Sequence, residues 1–103
     1  MGEDAQKQPP PPLVEYRVDG AAESALIAFS NSWHKTERHA HVLLPCSFQF
    51  VDFFSDLLEI EAQNEGDSGS VMVSIYYKGR LVASKAKAGP YKKVKVSAKL
   101  YRP

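Results

Sequence analysis

An all-β sandwich is the fold this sequence predicts, and three observations carry that expectation. From Val71 to Leu100 (VMVSIYYKGRLVASKAKAGPYKKVKVSAKL) apolar and polar residues alternate through three successive runs. Alternation with a period of two gives each run one face in a core and one in water. Turn-forming residues punctuate the chain at even intervals, at Gly20, Asn31-Ser32, Pro45, the NEGDSG stretch from Asn64 to Gly69, Lys78-Gly79 and Gly89-Pro90. No segment carries a convincing helical period. Antiparallel sheets with one apolar face are covered by packing sheet on sheet; a small closed barrel is the other architecture that suits the pattern.

In chain order, residues 1–12 (MGEDAQKQPPPP) read as a disordered or extended leader. Four consecutive prolines favour polyproline II, a stiff spacer of roughly 3 Å per residue. The single domain then spans residues 13–103. Leu13 to Asp19 alternates Val14, Tyr16 and Val18 against Glu15, Arg17 and Asp19, and Gly20 ends it. Ala25 to Ser30 forms a second strand. His39 to Leu44 forms a third, with Ala40, Val42 and Leu44 on one face and His39, His41 and Leu43 on the other. Pro45, which lacks a ladder donor, interrupts it. Phe48 to Phe53 resumes an extended, aromatic pattern. Between Asp52 and Gln63 helical and strand spacings compete; a turn near Ser55 and a strand from Leu57 to Gln63 fit better. Val71 to Tyr77 and Arg80 to Ala86 pair as a tight hairpin around Lys78-Gly79. Lys92 to Tyr101 closes the series, with Val94, Val96, Ala98 and Leu100 inward and Lys93, Lys95, Ser97, Lys99 and Tyr101 outward. The count is seven or eight short strands, as a sandwich requires.

The 103 residues suit one domain, and a 44% apolar fraction with eleven aromatics can fill its core. Net charge is only +1, but its distribution is uneven. Nine of the thirteen cations lie between Lys78 and Arg102, a stretch without an acid, while Asp52, Asp56, Glu59, Glu61, Glu65 and Asp67 form an acidic block. Strands of opposite charge lying side by side would account for both blocks. One cysteine, Cys46, excludes an internal disulfide framework and a multi-cysteine zinc site. No run of 18 apolar residues is present, and the leader lacks the apolar centre of a signal peptide.

Candidate sites are few. His39 and His41, two apart on a strand, would project to one face about 7 Å apart, with His34 nearby. A transition metal needs further ligands, and only Glu37 sits at a supporting spacing. An exposed strand face carrying Lys35, Glu37, His39 and His41 is the simpler reading, so no metal and no cofactor is expected. The basic final strand, with Lys92, Lys93, Lys95, Lys99 and Arg102 and interleaved Tyr91 and Tyr101, has the chemistry to meet phosphates and bases. Lysines on an exposed strand also guard against aggregation, and no arginine-rich or RNP-like motif accompanies them, so nucleic acid is not the expected partner. No Gly-x-Ser-x-Gly elbow surrounds any serine, Cys46 has no base at a recognisable spacing, and no enzyme is expected. Trp33 and the cluster Phe48, Phe50, Phe53 and Phe54 are core aromatics or, where exposed, a docking patch. The possible interaction surface is therefore Trp33, Tyr91, Lys93, Lys95, Lys99 and Tyr101.

Several segments together resemble the extracytoplasmic domain of the MmpS family of actinobacterial membrane proteins. Val14 to Gly20 is similar to its opening V-x-Y-x-V-x-G strand, and Leu44-Pro45-Cys46-Ser47 to its L-P-W-x segment. Leu58 to Gln63 matches L-x-L-x-A-Q. Val73 to Val82 is similar to C-x-I-x-V-D-G-K-x-V, and Gly89-Pro90-Tyr91-Lys92-Lys93-Val94 to G-x-Y-x-x-V. Cys46 stands where the family has tryptophan, and Met72, Val73 or Ser74 and Val96 stand where it has cysteines. The family's transmembrane helix has no counterpart in this sequence. The resemblance implies an immunoglobulin-like sandwich, held in the periplasm or cell envelope by an anchor outside this sequence, with the proline leader as tether. It further implies a transport accessory that docks a resistance-nodulation-division (MmpL-like) transporter, or more broadly a protein-interaction module. A stand-alone ligand-binding sandwich and nucleic-acid association through the basic strand are the rival expectations.

Overall fold

The computed structural model describes residues 11–100 and contains eight strands and no helix among them. The strands are β1 (Val14–Asp19), β2 (Ser24–Ser30), β3 (Thr36–Leu43), β4 (Cys46–Phe50), β5 (Leu57–Asn64), β6 (Ser70–Tyr77), β7 (Arg80–Ala88) and β8 (Lys93–Lys99). They form two four-stranded sheets, ordered β4-β1-β6-β7 and β3-β2-β5-β8, and every neighbouring pair is antiparallel. Both sheets have open edges, so the sandwich expectation holds and the barrel does not. Most of the leader and Tyr101, with the Arg102 that follows it, lie outside the described residues.

The alternation read from the sequence fills the space between the sheets. Val14, Tyr16 and Val18 of β1 and Val71, Val73 and Ile75 of β6 face Ala25, Ile27 and Phe29 of β2, Leu58, Ile60 and Ala62 of β5 and Val94 of β8. Each fully buried branched or aromatic side chain contributes roughly 1.5–3 kcal/mol relative to exposure. The expected phase of the last strand is correct: Val94 is buried, Val96, Ala98 and Leu100 pack against the core, and Lys93, Lys95 and Lys99 are exposed. The ambiguous Asp52–Gln63 segment resolves as a loop followed by β5, whose burial alternates strictly.

Two turns follow directly from residue type. Lys78 (φ 51°) and Gly79 (φ 78°) both take positive φ between paired Tyr77 and Arg80, as a type I′ hairpin requires. Gly20 (φ 129°) carries the chain from the first sheet to the second where the Ser70 carbonyl oxygen would lie 2.2 Å from a Cβ, so only glycine fits there. The Leu44–Pro45 bond is cis, and there the chain crosses back from β3 to β4.

Two strands differ from expectation by three residues at one end, and β7 runs two residues further than expected, to Ala88. β3 begins at Thr36 rather than His39, because the Asn31–Lys35 turn closes with an Asn31 N–H to Lys35 carbonyl bond of 2.7 Å and pairs Ser30 with Thr36 at once. As an edge strand with a wet outer face, its polar start carries no apolar period. β4 runs Cys46–Phe50 rather than Phe48–Phe53: its ladder with β1 starts at Val18↔Cys46 and closes with Val14↔Phe50. Beyond it Phe53 turns inward, 2% exposed, from a loop.

Tyr16 ties the two sheets together. Its ring lies in the core against Phe29 (5.4 Å between centroids) and Phe50 (5.9 Å). Its hydroxyl donates to the Ser30 carbonyl at 2.7 Å and accepts the Glu59 N–H at 3.3 Å, so a β1 side chain bonds backbone of β2 and β5. Ser30 Oγ joins this node, accepting the same N–H at 3.1 Å and donating to the Leu57 carbonyl at 3.2 Å. Burial raises the Tyr16 pKa above its usual 10.0, against the opposing effect of the Ser30 hydrogen bond. A group protonated more tightly when folded lends stability that is complete below its unfolded value and is lost as pH rises through the folded one. Tyr16→Phe should therefore cost about 1–2 kcal/mol at neutral pH, since Glu59 N–H keeps Ser30 Oγ while the Ser30 carbonyl loses its donor. Urea unfolding of both proteins through pH 10 should show this tyrosine's share of the alkaline loss of stability in the wild type and not in the variant.

Candidate functional site

The β2–β3 and β4–β5 loops meet at one end of the sandwich and display two aromatic rings there. Asn31 organises the first loop: its Oδ1 accepts the N–H groups of Trp33 and Lys35, each at 3.0 Å, and its Nδ2 donates to Glu37 at 2.9 Å. An Asn side chain that mimics a backbone turn in this way explains why Asn begins the loop. His34 takes φ 63°, and its N–H bonds the Asn31 carbonyl at 3.0 Å. The second loop is fastened to the first by a Phe54 N–H to Ser32 carbonyl bond of 2.9 Å and by His34 Nδ1 against Ser55 Oγ at 2.8 Å. On this frame Trp33 and Phe54 stack at 4.6 Å with 24° between planes, yet remain 67% and 58% exposed.

Beside the stack, His34, Phe54, Ser55, Asp56, Leu57 and Lys99 line an open groove of about 530 Å3. It offers an aromatic wall with one cation and one carboxylate at its margin, a combination suited to amphipathic surfaces. Ser55 is buried and its Oγ also accepts the Leu57 N–H at 3.1 Å, so this hydroxyl works as a turn fastener.

The residues expected to form one interaction surface are spread over three places. Trp33 and Lys99 come together at this loop end. Lys93 and Lys95 lie on the outer face of the second sheet, where they pair with Glu61 at 3.7 Å and Glu59 at 3.5 Å on β5. The acidic and basic blocks of the sequence are thus neighbours. Tyr91, exposed at φ 53°, sits at the other end of β8, fixed by its N–H to the Gly66 carbonyl and by Gln63 Nε2 to its own carbonyl. Eight residues of extended chain put it roughly 27 Å from Lys99. Tyr101 lies outside the described residues. Phe54 was legible only as one of four clustered phenylalanines; adjacent Phe53 and Phe54 straddling a loop, one inward and one outward, was the signal for it.

The histidines depart from the expected common face. A bulge in β3 opposite Leu26 shifts the ladder between Ala25↔Val42 and Ile27↔His39, with His41 at φ 57°. The inserted residue changes the phase. His39 now shares the core-side register of Val42 and stacks on Phe29 (5.6 Å) and Phe48 (5.4 Å), its Nε2 3.3 Å from Glu37. His41 instead meets Glu65, through its Nδ1 and its backbone N–H, each at 3.1 Å. Among the described residues, no three His, Cys, Asp or Glu side chains gather to hold a metal. Cys46 is half-buried against the core, and desolvation with nearby Asp19 raises its thiol pKa.

A second groove, of about 420 Å3 and mostly apolar, lies on the outer face of the first sheet among Pro12, Leu13, Val51, Tyr76 and Lys78. Arg17 borders that face, 4.2 Å above the Tyr76 ring and twice hydrogen-bonded to Glu15.

Asn31→Ala should release the Trp33 loop without unfolding the sandwich: the near-ultraviolet dichroism of the Trp33–Phe54 stack falls, while the far-ultraviolet spectrum stays. At Glu65 partial desolvation opposes ionisation, but hydrogen bonds from Ser24 Oγ and the His41 N–H outweigh it and hold the carboxyl below its ordinary 4.5. An acid depressed in the folded state lends stability above its unfolded value and loses it as pH falls through the folded one. Acid unfolding of Glu65→Gln should accordingly lack part of the wild type's loss of stability below about pH 4.5.

No family model matches the chain, and no curated protein matches it either.

Proposed function

We propose that this chain is a non-enzymatic β-sandwich module that docks a protein partner through the Trp33–Phe54 loop end. One observation carries the reading: two large rings are held out in water by a fastened pair of loops rather than folded inward. Exposed aromatics on a pre-ordered frame lose little entropy on binding, which is why Trp and Tyr dominate the energetic centres of interfaces. The MmpS-like resemblance extends the proposal to an immunoglobulin-like, extracytoplasmic domain tethered to a membrane, with a resistance-nodulation-division transporter as the partner class.

A second reading, a stand-alone ligand-binding sandwich, is favoured by the groove of about 530 Å3 beside Phe54. Nucleic-acid association has less behind it, because Lys93 and Lys95 are already engaged by Glu61 and Glu59.

The test is detergent extraction of native-host membranes with the full-length gene product as bait, beside the Trp33→Ala/Phe54→Ala variant. The proposal expects a transporter of that class with the wild type and about tenfold less with the variant. Equal recovery by both, or no transporter with either, overturns it. A saturable change in Trp33 fluorescence with a lipid or sugar, in the absence of any protein partner, would favour the second reading.

A further inference from the structure

β7 is the longest strand, nine residues, and among the described residues its ladder runs to β6 alone. Every β7 residue except half-buried Ala83 is exposed. Its outer edge therefore presents a row of backbone N–H and C=O groups to solvent. The other three edges are shorter or interrupted. β4 has five residues and follows Pro45, β3 is bulged at its centre, and β8 has seven residues against the nine of β7. β7 keeps a regular ladder from Ser70↔Ala88 to Ile75↔Ala83, its one irregularity lying near the hairpin.

The charge on this edge has one sign. Arg80, Lys85 and Lys87 lie on β7, Lys78 in the turn before it and Lys92 in the turn after it, with no acid between Lys78 and Leu100. Lys85 and Lys87 stand opposite Val73 and Val71 of β6, on the register side of the core, yet remain exposed at the margin of the sandwich. Cations directed to the inner side of an edge strand repel a second copy of the same edge. They attract an acidic strand by the same field, so one set of residues supplies both the exclusion and the selection.

We propose that the free edge of β7 takes up an acidic, extended segment of a partner protein as a fifth strand of the first sheet. Backbone ladder bonds supply the affinity, and carboxylates at alternate positions of the segment meet Arg80, Lys85 and Lys87. A nucleic acid fits less well, because Tyr91 and Trp33 sit at opposite ends of the sandwich rather than between these cations. The proposal stands apart from the Trp33 site and uses different residues.

The test uses a nine-residue, end-blocked peptide alternating Glu and Val, followed by fluorescence anisotropy and amide hydrogen exchange on the whole chain. The expected result is saturable binding that weakens with salt and slows exchange of β7 amides by about tenfold. Lys85→Glu/Lys87→Glu should weaken binding about tenfold while leaving the Trp33 spectrum unchanged, and should gain affinity for a Lys–Val peptide. Three outcomes overturn the proposal: no saturable binding, equal binding of a fully N-methylated Glu–Val peptide (charge without a ladder), or tighter binding of a nine-nucleotide single-stranded DNA. An unchanged response of the Trp33→Ala/Phe54→Ala variant to the Glu–Val peptide keeps this result distinct from the docking reading.

Discussion

The hydroxyl of Tyr16 is the contact on which the arrangement of the two sheets depends. The ladder between β2 and β5 has its last pair at Phe29↔Ile60, while Ser30 still pairs with Thr36 of β3. The next backbone groups, the Ser30 carbonyl and the Glu59 N–H, lie beyond that ladder. Tyr16 reaches across from the first sheet and bonds both, with Ser30 Oγ sharing the second. Burying a hydroxyl is costly only when it is unpaired; here it replaces ladder bonds that β2 gives up. Because β2 parts from β5 at Ser30, the Asn31–Lys35 turn can stand out from the end of the sandwich and carry Trp33.

The open sides of the sandwich follow a second rule. At these open sides, core-side positions of the edge strands carry polar groups: His39 and Glu37 on β3, Lys85 and Lys87 on β7. On the β3 side the imidazole is used as a flat aromatic lid over Phe29 and Phe48. On the β7 side the ammonium groups stay in water. The first device seals an edge, and the second leaves a charged one available. The two proposed docking features, the stacked rings at the loop end and the cationic ladder edge, are ones that packing does not consume.

How much of this was legible in the sequence differs from strand to strand for physical reasons. β1, β5, β6 and β8 bury one face each, so their alternation is written in Val, Ile, Leu and Lys, and the Lys78-Gly79 hairpin is written in its positive-φ turn. The pairing of acidic and basic blocks was legible as charge and resolves into Lys95–Glu59 and Lys93–Glu61. β3 is not legible because its bulge is fixed by pairing with β2 and capture of His41 by Glu65, both distant in sequence. The Trp33–Phe54 stack was hidden for the same reason: each residue signals an aromatic in a loop, and only the folded chain brings the loops together.

The most direct measurement of the account is a solution NMR search for the Tyr16 hydroxyl proton and its neighbours. The structure requires a slowly exchanging hydroxyl with Overhauser contacts to the Glu59 amide and the Ser30 side chain, and Tyr16 ring contacts to Phe29 and Phe50. A rapidly exchanging hydroxyl, with the Tyr16 ring showing no contact to any residue of β2 or β5, would contradict the packing of these two sheets.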